Sequence, residues 1–102
     1  MSTSDARIYV GRLQHDRPVV FAVGTTTLER LDPRGDGFGW GTNAADDAVD
    51  LARVLLADAS GSEPSPDVSR RFAGQVLRRV PPDGFALPRD TVRAWLRRVV
   101  TV

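Results

Sequence analysis

The hydrophobic pattern changes period once along this chain, and that change restricts the folds open to it more than any other feature. Up to residue 41, β-branched and aromatic residues cluster in short strand-like runs, and beyond residue 43 the apolar residues recur at helical spacing. Arg7-Ile8-Tyr9-Val10-Gly11-Arg12-Leu13 and Pro18-Val19-Val20-Phe21-Ala22-Val23 predict two strands, joined by Gln14-His15-Asp16-Arg17 as a hairpin. Thr25–Leu31 predicts a third, stopped at Asp32-Pro33 because the residue before proline avoids helix and proline cannot donate to a ladder.

The run Gly35-Asp36-Gly37-Phe38-Gly39-Trp40-Gly41 is a candidate for a short fourth strand. If it is extended, Phe38 and Trp40 share one face while the glycines leave the main chain open to close approach, by another part of the fold or by a ligand. A phosphate cradle would need a lysine and a hydroxyl at fixed spacing. Here Gly41 is followed by Thr42-Asn43-Ala44-Ala45 and the anions Asp46 and Asp47. The expected role of Gly37, Phe38, Gly39, Trp40 and Gly41 is therefore packing.

Three helices follow. Asn43 is the expected N-cap of the first, which runs from about Ala44 to Ala59 with Ala48, Leu51, Ala52, Leu55 and Ala59 as its apolar stripe. Asp46 and Asp47 fall in its first turn, where the helix dipole favours anions. Residues 60–65 read as a flexible linker, and Ser65-Pro66 opens a second helix with the stripe Phe72, Ala73, Val76, Leu77 and Val80. Pro81-Pro82-Asp83-Gly84 ends it, and Phe85-Ala86-Leu87 crosses back extended. Pro88 starts a third helix that buries Val92, Trp95, Leu96 and Val99. Strands first and helices after predict an α+β domain: a three- or four-stranded antiparallel sheet from the first 41 residues, packed against three C-terminal helices. Phe38, Trp40, Phe72 and Trp95 are expected to share one aromatic core. A chain of 102 residues makes a single domain, with residues 1–6 a loose N-terminus, 7–41 its β-rich part and 43–102 its helical part.

Cysteine is absent, which removes disulfides, thiolate catalysis and cysteine-based metal sites. Met1-Ser2-Thr3-Ser4-Asp5 has neither the basic nor the apolar region of a signal peptide, and no apolar run approaches a membrane span. The expected location is the cytoplasm, without membrane contact. All 14 basic residues are arginine, unevenly placed: residues 1–67 carry net −5 and residues 68–102 net +6. Such halves either pair within the fold or offer a basic surface to an acidic partner.

No catalytic constellation emerges. Asp46 and Asp50 share a helix face but Asp47 diverges from them, so a dipole-favoured first turn is expected in place of a cation site. His15 stands in the hairpin turn without a second His or Cys. The positive signal is basic: Arg89, Arg93 and Arg97 recur at i, i+4 and i+8 with Arg98 beside them, and Arg70, Arg71, Arg78 and Arg79 decorate the second helix. Guanidinium rows of this kind form a solvated face, meet a protein partner or bridge phosphates. A helix-turn-helix does not fit, because a Pro-Pro turn and an extended segment separate helices two and three.

The order of Tyr9-Val10-Gly11-Arg12, Leu31-Asp32-Pro33-Arg34, Gly37-Phe38-Gly39-Trp40-Gly41, Leu55-Leu56-Ala57-Asp58 and Asp83-Gly84-Phe85 resembles the domain of unknown function 6166 family. The chain lacks that family's longer polar insert before the Gly-Phe-x-Trp-Gly motif, and has Phe85 where tryptophan is common. The resemblance implies a context, small actinobacterial and haloarchaeal proteins often carried on phages and plasmids, and supplies no activity. The expected function is a small non-catalytic protein-interaction module, an adaptor or inhibitor of mobile-element type. Its partner-binding residues would be Arg89, Arg93, Arg97, Arg98, Arg70 and Arg71, with no cofactor and no metal. The alternative is a nucleic-acid-binding accessory protein using the C-terminal arginine rows, and the oligomeric state is left open.

Overall fold

The computed structural model describes residues 7–33, 37–41 and 45–100. Its order is β1 (Ile8–Gln14), β2 (Arg17–Val23), β3 (Leu28–Leu31), α1 (Ala45–Ser60), α2 (Pro66–Gln75), a 3₁₀ turn (Leu77–Arg79), β4 (Gly84–Pro88) and α3 (Arg89–Val100). The four strands form one antiparallel sheet in the order β3-β2-β1-β4. The α+β class and the antiparallel sheet with three helices are thus as expected. The loose N-terminus at residues 1–6, the Asn43 N-cap and the Arg34–Asp36 part of the glycine-rich motifs lie outside the described residues.

The β1–β2 hairpin closes through His15 and Asp16, both with positive φ (52° and 65°), and Gln14 pairs with Arg17. Two left-handed central residues make a type I′ turn, whose twist matches that of the flanking strands. The third strand starts three residues later than expected, because Gly24 N–H donates to the Thr27 carbonyl (2.8 Å) and folds Thr25–Thr27 into a turn.

The fourth strand is not the Gly-Phe-Gly-Trp run. It is Gly84–Pro88, paired with β1 from Ile8↔Pro88 to Arg12↔Gly84. Proline is tolerated at its end because the strand is an edge. Residues 37–41 form no strand, and Phe38 and Trp40 are buried beneath the sheet edge with the helices. Two edge-to-face ring pairs organise the aromatic core, Trp40 on Phe85 and Phe72 on Trp95, each with centroids 5.0 Å apart.

Leu51, Leu55, Leu56 and Leu77 are fully buried in the helical layer. Each contributes about 1.5 to 3 kcal/mol relative to exposure. Helix α1 ends in a left-handed Gly61 (φ +81°) whose N–H donates to the Ala57 carbonyl (2.8 Å). Ser60 Oγ donates to the Leu56 carbonyl at 2.8 Å and accepts from the Ser62 N–H at 3.2 Å, so the segment expected as a linker holds a hydrogen-bonded turn. Ser65 caps α2 as expected, accepting from Val68 N–H at 3.2 Å. The α-helical part of α2 stops at Gln75, earlier than its stripe implied. Pro81 cannot accommodate the carbonyl of Leu77 four residues earlier, and Val80, preceding it, is extended. The freed Leu77 carbonyl accepts the Gly41 N–H at 2.8 Å.

Candidate functional site

The short motifs of the sequence meet in space, and most of them explain one another. Gly11 is where Phe85 crosses β1: a Cβ there would lie 2.2 Å from the Phe85 ring. Gly84 returns the constraint, since its own Cβ would stand 2.8 Å from the Gly11 carbonyl oxygen. Phe85 in turn packs perpendicular to Trp40, whose indole N–H donates to the Pro82 carbonyl at 3.2 Å. Gly41 takes a φ of +89° to place its N–H on Leu77. The close approach implied by the glycines is made by the fold itself.

A second group forms at the C-terminal end of α1. Tyr9 is fully buried and donates its hydroxyl to Asp58 Oδ2 at 2.6 Å. Arg7 grips the same carboxylate with two nitrogens, Nε at 3.0 Å and Nη2 at 3.1 Å, and Nη2 also reaches Glu29 at 2.8 Å. Burial, then the hydrogen bond to Asp58 and its charge, raise the Tyr9 phenol well above its ordinary value, against Arg7 and Arg89. The Glu29 hydrogen bond, with Asp58, raises Arg7 against the opposing effect of burial. A carboxylate in the last turn of a helix faces the negative end of the dipole, and α1 has no basic residue there of its own. Arg7 supplies the cation from β1's approach, and Arg93 Nε caps the Ala59 carbonyl at 2.7 Å from α3.

This changes the reading of the arginine rows. Arg93 caps α1. Arg89 donates its backbone N–H to the Arg7 carbonyl (2.8 Å), Arg97 interacts within the chain, and Arg71 pairs with Asp67 at 3.2 Å. Arg70 and Arg98 are exposed, as are Arg78 and Arg79. The i, i+4, i+8 row on α3 is therefore interrupted at its middle. Asp46 and Asp47 lie exposed in the first turn of α1, His15 sits in the hairpin turn, and among the described residues no three His, Cys, Asp or Glu side chains converge as metal ligands do.

The surface that sequence reasoning missed is the outer face of the sheet. Strand alternation and register put Leu28, Val23, Ile8 and Pro88 in one row across it, and Arg30, Phe21, Val10 and Ala86 in the next. Leu28 is 70% exposed and Ile8 37%, while Val10, Phe21 and Val23 are half-buried. All the fully buried residues of the strands, Tyr9, Val20 and Ala22, point the other way, toward the helices. The signal was in the sequence: the unbroken apolar run Val19–Val23 has the two-sided character of a strand covered on both faces, yet this sheet has helices on one.

The model of the family of unknown function DUF6166 matches residues 7–98, a span that contains every motif just described. The chain belongs to that family. No match was found among curated proteins or among solved structures. In this chain, the motifs just described are the joints of the fold. No helix among the described residues is long and apolar enough to cross a membrane.

Proposed function

We propose that this chain is a non-catalytic protein-interaction module, an adaptor or inhibitor working in the cytoplasm and serving a mobile genetic element, which docks through the outer face of its sheet. The observation that supports this reading is the pair of apolar rows on that face, led by Leu28 and Ile8. Arg30 and Arg12, both exposed on the same face, edge the rows with positive charge. The occupant is accordingly a protein partner with an apolar surface edged by carboxylates.

The test is affinity purification from the native host, followed by reconstitution of the captured protein with the purified chain. Leu28→Glu and Arg30→Glu should each abolish the reconstituted complex while leaving the melting curve in place, since both side chains are exposed. A complex indifferent to both substitutions overturns the reading. So does a concentration-dependent dimer lost with Leu28→Glu, which would make the occupant a second copy.

A further inference from the structure

On the helical side of the domain, away from the sheet face, an open groove runs between the start of α1 and the α2 segment with its 3₁₀ turn. It consists of two depressions, of about 500 and about 700 Å³, that share Gly41, Gly74 and Arg78. Gly74 is the informative residue. It lies in the last turn of α2 in an ordinary helical conformation, where alanine would be more stable by about 1 kcal/mol. A Cβ added there meets nothing within 4 Å among the described residues, so their packing gives no reason for a glycine. Among the described residues, the space beside it is open.

What flanks that space is positive. Arg70 and Arg78 stand four residues to either side of Gly74, both on the groove and both exposed. Arg79 lines the adjoining depression. None of the three guanidinium groups makes a hydrogen bond or ion pair with a described residue, in contrast to those of Arg7, Arg71 and Arg93. The floor between them is small and apolar, with Ala48 and Ala73 buried at its base.

We propose that this groove binds an extended acidic segment of a protein partner, with carboxylates on Arg70 and Arg78 and a small residue lying over Gly74. The fork of a guanidinium matches a carboxylate with two parallel hydrogen bonds. A phosphate backbone fits less well: Asp46 also lines the groove and would repel it, whereas a peptide brings N–H groups for that carboxylate and an apolar side chain for the floor. The inference rests on the reading of the chain as a protein-interaction module but uses a different surface from the sheet, so the two fail separately.

The experiment is fluorescence anisotropy at physiological salt, with a labelled peptide alternating glutamate and alanine, a matched lysine–alanine peptide and a single-stranded oligothymidylate. The expected result is a dissociation constant on the order of micromolar for the acidic peptide alone. Gly74→Leu fills the groove without altering charge, and its melting temperature stays level or rises. It should weaken the acidic peptide at least about tenfold. Arg70→Glu with Arg78→Glu should do the same, and Leu28→Glu should leave peptide binding intact. Equal binding by wild type and Gly74→Leu overturns the proposal, as does absence of peptide binding. Tighter binding of the oligothymidylate also overturns it, by assigning the groove to nucleic acid.

Discussion

At the C-terminal end of α1 every charge has a companion: Asp58 is held by Arg7 and Tyr9, Arg7 also by Glu29, and the Ala59 carbonyl by Arg93. At the N-terminal end of the same helix, the order comes from rings and backbone, Trp40 on Phe85 and Gly41 on Leu77, while Arg70 and Arg78 stand exposed beside Asp46. Two ends of one helix thus use arginine in opposite ways. At the first it neutralises an anion placed against the helix dipole, and at the second it faces outward from a region already held by apolar packing. The lesson is that an arginine count says little about binding until tertiary structure has claimed its share.

The largest expected effect lies at the N-terminal end. Trp40→Ala should cost about 3 to 5 kcal/mol, because the lost indole leaves Phe85 without its edge contact and opens a cavity. A denaturation curve that barely moves would remove Trp40 from the core and with it the claim that packing orders this end. Next comes Asp58→Ala, expected to cost about 2 to 4 kcal/mol. It leaves the Tyr9 hydroxyl and the Arg7 guanidinium without their shared acceptor, and the loss is moderated because Asp58 keeps a quarter of its side chain exposed. A urea midpoint close to wild type would show the network to be incidental.

Alkaline pH probes the same end without mutation. The chain has no Lys, no Cys and a single Tyr, so Tyr9 is the one side chain expected to titrate between neutrality and the arginine range. Its folded pKa is raised, so the unfolded chain loses its proton first. Stability is fully present below about pH 10 and falls above it by roughly 1.4 kcal/mol per pH unit. Tyr9→Phe should flatten that slope, and a wild-type slope persisting in the variant would assign it elsewhere. The smallest effect is at the exposed arginines: Arg70→Ala and Arg78→Ala should each change stability by less than about 0.5 kcal/mol. A loss above about 1 kcal/mol at either would erase the contrast between the ends.

Local signals were legible where neighbours in sequence decide the outcome. The hairpin at His15-Asp16, the Ser65 cap and the stripe of α1 all follow from residues within a few positions of one another. The origin of the fourth strand did not, because Gly84–Pro88 is short and proline-flanked, and it becomes a strand only by lying against β1. Similarly, the spacing of Arg89, Arg93 and Arg97 correctly described a helix, but Arg93's destination at Ala59 depends on how α3 crosses α1. Of the candidate surfaces, the arginines were visible as residue types. The sheet's outer face required knowing that helices lie on one side alone.

The pairing of β4 with β1 has a consequence for how the protein is made. Residue 8 of the chain finds its sheet partner at residue 88, so the sheet cannot be completed until residues 84–88 have left the ribosome. Until then β1 presents a bare hydrogen-bonding edge, with the Gly11 backbone uncovered where Phe85 will later lie. A nascent chain stalled before Phe85 would carry that edge for as long as the stall lasts, so the interval between the synthesis of β1 and that of β4 is the interval of its exposure.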